Sequence, residues 1–454
     1  MFRIGDRPYW PLRSLIFEAG LVAIALAYVL GSKNSFSRTS NSRTILLPII
    51  LIVAFSFRSL WGYALPFFYG YDTANYIGVA HFLSDRFTES VSILFLHTKN
   101  IPHSAFAEGI PSPEPLPYLL FASFIHVGVP DAVIPRIIIP LFSAATILPF
   151  YLIVRDLYGN DAGLIAALVL AMGPMQFAFL TGLYRNLIGN LFMLSAFYLI
   201  IHEPAKRKWG AVLPTALLFL TYVVNVLIVL LAMFVYGVIC KKRAVFSRTL
   251  RVVAVSAMVS FFPLWVSGSL FTWSIINGAL SLSPLTPERL LYNVPFFLGF
   301  LVPGLTFAVP VLVARSRLDF AFCFLSTLAL LFVVLGMTGS GFFTPERLLP
   351  YLEFPIIMLA SKWICTTRKV FSLGTILAGW TFWQSMWLVS LPSAYGPSPV
   401  WSYYEKVIPT VPAIALTPDI FGWVVSSFVF AGVVLAAFAV WRDFFANAAP
   451  LHSD

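Results

Sequence analysis

Long apolar runs alternate along this chain with short polar loops. Runs at 12–30, 45–62, 132–154, 162–180, 185–201, 250–267, 293–314, 320–338, 346–361, 371–391 and 421–441 each approach the ~20 residues a helix needs to cross a bilayer. The stretch 209–240 is apolar over a length suited to two short passes, with Thr221-Tyr222-Val223-Val224-Asn225 as the natural tip. The pattern predicts an all-α polytopic membrane protein with about 13 transmembrane helices. Residues 116–129 are apolar but short and flanked by proline, which reads as a helix lying at the outer interface. The first run carries Glu18 and no small-residue cleavage site follows it, so it reads as a retained span rather than a cleaved signal.

Composition removes the soluble alternatives. Hydrophobic residues are 59% and charged residues 11% of the 454, against about 45–50% and about 25% in soluble domains. Richness in Phe, Leu and Val excludes disorder. Three cysteines, Cys240, Cys323 and Cys365, lie in or beside apolar runs and do not make a disulfide framework. The net charge of +10 comes from bases in short loops, with no basic stripe for a nucleic acid.

Those bases set an orientation. One set of loops holds Lys33, Arg38, Arg43, Arg155, Lys206, Arg207, Lys208, Lys241, Lys242, Arg243, Arg248, Arg251, Arg315, Arg317, Lys362, Arg368 and Lys369; the alternate loops hold Arg86, Lys99, Arg185, Arg289, Arg347 and Lys406. That is 17 against 6, and the positive-inside rule puts the first set in the cytoplasm. The N-terminus then falls outside, against which Arg3, Arg7 and Arg13 weigh.

The first external loop, 63–115, is acidic: Asp72, Asp85, Glu89, Glu108 and Glu114 against Arg86 and Lys99. Its length points to function or to disorder. The piece 72–84 reads as an amphipathic helix on the outer membrane surface, with Tyr76, Val79, Ala80, Leu83 and Phe87 on one face. Asp72 opens that helix. It is either an N-cap or a carboxylate whose basicity is raised at the membrane boundary, able to take a proton from a hydroxyl. His81, Asp85 and Glu89 share a helix face, so with Asp72 they would suit a divalent metal (Mn or Mg) or make a solvated polar face.

Five arginines lie near the outer ends of spans: Arg58, Arg136, Arg185, Arg289 and Arg347. Each either snorkels to the head groups or meets a phosphate with its planar fork. Thr-Pro-Glu-Arg-Leu-Leu occurs twice, at 286–291 and 344–349. Thr-Pro-Glu makes a good helix start, but arginine there wants an anion, supplied by the neighbouring glutamate or by a lipid phosphate. Glu353 follows as an acid within an apolar run. No P-loop, H-E-x-x-H or C-x-x-C is present, so any transfer chemistry needs a donor that the membrane supplies.

Taken in order, five segments resemble one superfamily: Tyr69-Gly70-Tyr71-Asp72-Thr73-Ala74-Asn75-Tyr76-Ile77; Pro113-Glu114-Pro115-Leu116-Pro117-Tyr118; Val154-Arg155-Asp156-Leu157-Tyr158-Gly159-Asn160-Asp161; Thr181-Gly182-Leu183-Tyr184-Arg185-Asn186; and Pro345-Glu346-Arg347-Leu348-Leu349-Pro350-Tyr351-Leu352-Glu353. They resemble the GT-C glycosyltransferases, closest to the protein-mannosyltransferase and aminoarabinose-transferase-like branch, over roughly residues 60–360. The resemblance implies sugar transfer from a polyprenyl-phosphate (dolichyl-phosphate-type) donor to a lipid, glycan or protein acceptor, on the outer face of a multi-pass cell membrane. It implies Asp72 as base or metal-linked carboxylate, and Arg347 on the donor phosphate. Arg185 matches a position near the donor site; the reading of the residues themselves adds Arg289 as a candidate phosphate contact and His81, Asp85, Glu89, Glu353, Arg58 and Arg136 as candidate accessories. Many relatives carry two adjacent acids in the first loop, whereas Thr73 follows Asp72 here. The organisation it suggests is an N-terminal hairpin (1–62), an external catalytic loop with interfacial helices (63–130), a GT-C-like core (131–361) and C-terminal helices with an external loop (362–454). The alternatives are a transporter or lipid flippase, and a non-catalytic GT-C-like subunit.

Overall fold

The computed structural model describes residues 40–64, 73–85, 115–173, 176, 183–202, 209–266, 301, 303–312, 318–332, 348–366 and 370–390. Those up to Leu388 belong to one compact unit, Ile16–Leu388. The described residues are all-helical, with no strand among them. The α-helices among the described residues include α1 (Ser40–Ala64), α2 (Thr73–Asp85), α3 (Leu116–His126), α4 (Ile139–Ala145), α5 (Ile147–Tyr158), α6 (Asn160–Ala171), α7 (Tyr184–His202), α8 (Val212–Thr221), α9 (Val223–Ile239), α10 (Arg243–Val266), α11 (Phe320–Leu331), α12 (Glu353–Thr366) and α13 (Val370–Ser390). A π turn, Ile134–Ile138, leads into α4, and a 3-10 turn, Leu349–Leu352, leads into α12.

Among the described residues three helical stretches are long and apolar enough to cross a membrane: Ile134–Tyr158, Tyr184–His202 and Arg243–Phe261. Shorter apolar helices accompany them. The outward faces are as apolar as the interior, with Ile52, Met258 and Val259 more than half exposed. In water such a surface would be an aggregation liability; hydrocarbon leaves it at no disadvantage.

The α5–α6 hairpin shows how local sequence fixes the packing. Gly159 turns the chain at φ +98°, which only glycine adopts without strain. The Tyr151 hydroxyl then donates to Asn160 Oδ1 at 2.6 Å. At the same end, Asp319 caps α11 by accepting from the Phe322 amide at 3.1 Å. Its other oxygen takes Lys362 Nζ at 2.7 Å and the Tyr158 hydroxyl at 2.8 Å, joining α5, α11 and α12.

The run 209–240 breaks at Tyr222, whose extended backbone (φ −162°, ψ 102°) interrupts the helix. Ser256 and Ser260 donate to the carbonyls of Val212 and Ala216, each 3.0 Å away and 44 residues earlier. A constant offset means that α10 and α8 run in the same direction. The short turn after Ile239 folds α10 back along α9, with Phe246 against Gly237. So α8 and α9 run oppositely, and Tyr222 is the tip. At 10 and 17 residues both are shorter than a full crossing.

Two expectations change in detail. The apolar face of α2 holds Tyr76, Ile77, Ala80 and Leu83, and it packs on α3 and the start of α7 rather than on a lipid surface, because aromatic rings from both helices cover it. The run expected at 346–361 enters through the 3-10 turn and becomes α-helical only at Glu353, ending at Thr366. Pro355 then falls in the first turn of α12, where its missing N–H costs nothing. The expected spans 12–30 and 421–441 lie outside the described residues.

Candidate functional site at the start of α7

Three consecutive residues at the start of α7 gather segments that are distant in sequence. The Tyr184 hydroxyl shares a 2.9 Å hydrogen bond with Thr73 Oγ1, at the first residue of α2. Arg185 Nε donates to the Tyr76 hydroxyl at 2.9 Å. Asn186 Nδ2 donates to the Tyr351 hydroxyl at 3.3 Å, in the 3-10 turn. Because successive residues on a helix point about 100° apart, one turn of α7 holds α2 on one side and the 3-10 turn on another.

Aromatic rings form one wall. The Tyr76 ring lies 5.2 Å from those of Tyr118 and Tyr184, and Phe121 meets it edge-on at 6.0 Å. Arg185 also lies over the Tyr222 ring, 5.9 Å from its centroid, within cation–π range. The tip of the α8–α9 hairpin therefore reaches this site as well.

The other wall is a buried polar ladder. The Tyr351 hydroxyl donates to Asn225 Oδ1 at 2.5 Å. Asn225 Nδ2 donates to Asn190 Oδ1 at 3.4 Å, one turn beyond Asn186 on α7. Tyr351, Asn190 and Asn225 are fully buried. Gly189 makes room, since a Cβ there would stand 2.8 Å from Asn225 Nδ2. Buried amides are costly unless bonded, so this ladder specifies how α7, α9 and the 3-10 turn meet.

The sequence-selected residues divide among three outcomes. Arg185 is at this site. Asp72, Glu89, Arg289 and Arg347 lie outside the described residues. Asp72 is nevertheless the covalent neighbour of Thr73, and Arg347 that of buried Leu348. His81 pairs with Asp131, Nε2 to Oδ2 at 2.6 Å, while Asp85 is exposed on α2. Among the described residues no group of three or more His, Cys, Asp and Glu side chains is placed to hold a metal.

Arg58, Arg136 and Glu353 lie elsewhere. Arg136 is half-buried in the π turn before α4. Arg58 is fully buried, which a snorkelling residue would not be. Its Nη2 donates to the Leu170 carbonyl at 2.8 Å, a cation at the C-terminal end of α6, where the helix dipole favours it. Glu353 supplies the opposing charge. Gln176 Nε2 donates to Glu353 Oε2 at 3.0 Å, and the carboxylate lies against Gly173. Glu353 opposes the charge of Arg58 without bonding to it, and the Arg58 Nε and Nη1 atoms are buried without a hydrogen-bond partner among the described residues.

Sequence reasoning missed Tyr76, Tyr184, Asn186, Asn190, Asn225 and Tyr351 as site residues. Polar side chains inside apolar runs were the available signal, with Asn186 and Asn190 at helical spacing. Asp131 and Gln176 carried no such signal, since each only acquires its partner through the tertiary fold. No family model matches this chain, and no curated protein matches it either.

Proposed function

We propose that this protein is a polytopic membrane glycosyltransferase. It moves a sugar from a polyprenyl-phosphate donor to an acceptor hydroxyl on the extracytoplasmic side. The observation that supports this reading is the bridge made by Tyr184, Arg185 and Asn186. Thr73 and Tyr351 are bonded to the first and third of these residues. Thr73 is the covalent neighbour of the first-loop acid Asp72, and Tyr351 lies four residues after Arg347. Thr73 and Tyr351, which stand one and four residues after the acid and the late-span arginine of the GT-C pattern, are thus tied to the helical turn that carries Arg185.

In the reaction the acceptor oxygen attacks the anomeric carbon as the bond from that carbon to the phosphate oxygen breaks. The bonding electron pair leaves with the polyprenyl phosphate, and the acceptor proton passes to Asp72. Arg347 and Arg185, with Arg289 as a further contact, stabilise the negative charge on the departing phosphate, as pre-placed cations do in low dielectric. Proteoliposomes given radiolabelled mannosyl, glucosyl and aminoarabinosyl polyprenyl phosphates test this. Consumption of one donor supports it; none consumed, with donor and acceptor on either side, favours the transporter or the silent subunit.

A transporter or lipid flippase draws on two observations: the buried Arg58 and Glu353, and the helix break at Tyr222. Charges deep in a bundle and interrupted helices are features of transport paths. Here, however, Arg58 caps a helix end and is opposed by Glu353, which accounts for both without a moving ion.

A further inference from the structure

The buried hydroxyl of Tyr351 joins two segments that each carry one half of the Arg185 clamp. Through Asn186 it holds the residue that follows Arg185 on α7. Through Asn225 it holds the first turn of α9, three residues beyond Tyr222, whose ring lies under the guanidinium. The distance of Arg185 from that ring is therefore set by this oxygen, which accepts from α7 and donates to α9, together with the direct Asn225–Asn190 bond between the two helices. Neither Asn186, at 3% exposed, nor Asn225, at 0%, has water as an alternative partner. Tyr351 is itself fully buried, so it has no path to a ligand of its own.

We infer that Tyr351 is a positioning residue for Arg185, and that the clamped guanidinium binds the phosphate of a polyprenyl-phosphate lipid. This rests on the glycosyltransferase reading and adds a residue to it. Arg185 has its Nε taken by the Tyr76 hydroxyl and its face by Tyr222, so its orientation is set by protein contacts before a ligand arrives. Loss of the Tyr351 hydroxyl leaves the weaker 3.4 Å Asn225–Asn190 bond to hold α9 against α7 and loosens the join, so the guanidinium loses its fixed aim.

The experiment measures binding of decaprenyl phosphate, and of decaprenol without the phosphate, to the full-length protein in nanodiscs. Four proteins are compared: wild type, Tyr351→Phe, Arg185→Ala and the double variant. Wild type should bind the phosphate lipid more tightly than the alcohol. Tyr351→Phe should weaken phosphate-lipid binding about tenfold, the effect of one lost hydrogen bond, and leave decaprenol binding unchanged. Arg185→Ala should cost about tenfold in wild type and less than about twofold in Tyr351→Phe, because the arginine is already misaimed. Equal effects of Arg185→Ala in both backgrounds would show that Tyr351 does not act through Arg185 and would overturn the inference alone. A wild type that binds both lipids equally would overturn the donor-phosphate reading and this inference with it. Should Tyr351→Phe fail to fold, Asn225→Ala removes the acceptor while keeping the tyrosine ring, and the same outcomes apply.

Discussion

Replacing Arg58 by methionine should be among the most damaging single changes in the described core. The guanidinium is fully buried and donates to the Leu170 carbonyl at the end of α6. Its removal leaves that carbonyl without its donor and Glu353, 3% exposed, without its counter-charge. Removing one of two opposed buried charges costs about 3–5 kcal/mol, because the surviving charge stays desolvated. Glu353→Gln should cost a similar amount through the stranded arginine. The double variant Arg58→Met, Glu353→Gln removes both charges together, and should cost less than either single change, about 0–2 kcal/mol. The assay is unfolding of the purified protein in one detergent, followed by tryptophan fluorescence across a denaturant series, for wild type and the three variants. The coupling between the two sites should amount to several kcal/mol. If the double variant loses the sum of the two single losses, Arg58 and Glu353 do not compensate each other, and the assignment of Arg58 to structure rather than to phosphate binding fails.

Three further outcomes follow from the geometry. Gly173→Ala places a Cβ 2.5 Å from Glu353 Oε1, so the carboxylate must leave its bond to Gln176. The loss should be about 1.5–3 kcal/mol, read in the same unfolding assay. Gly78→Ala, whose Cβ meets nothing within 4 Å, should be neutral or slightly stabilising. The Sγ atoms of Cys240 and Cys323 lie 3.9 Å apart. Treatment with diamide should therefore yield an internal Cys240–Cys323 disulfide, seen as a linked peptide by mass spectrometry of unreduced digests. The link should vanish in Cys323→Ser, and its absence from the oxidised wild type would mean that the ends of α9 and α11 are not so placed.

What the sequence revealed follows from periodicity. The apolar runs between 45 and 391 coincide with most of the described helices, because a buried or lipid-facing helix needs an unbroken apolar length. The tip near Tyr222 was legible for the same reason, as a polar interruption in a run too long for one pass. Position within the fold was less legible. Arg58 and Arg185 look alike as arginines near the ends of apolar runs. Only the structure separates them, one buried on a helix end and opposed by Glu353, the other held by Tyr76 and Tyr222. His81 likewise suggested a metal face with Asp85, yet its partner is Asp131, 50 residues away. Pairings over such distances leave no local pattern. The asparagines of the ladder are visible as polar interruptions, but which of them meet depends on the hairpin turning back at Tyr222.

In the proposed reaction Asp72 removes a proton from the acceptor during sugar transfer. The direct measurement is the transfer rate of purified wild type and Asp72→Asn, reconstituted side by side with the labelled polyprenyl-phosphate sugar that wild type consumes. Asparagine caps a helix as well as aspartate does, so the variant should insert normally and keep its thermal midpoint. Transfer should fall by about 10²–10⁴, the usual contribution of a general base, while donor binding stays within about twofold of wild type. Undiminished transfer in Asp72→Asn would contradict the account.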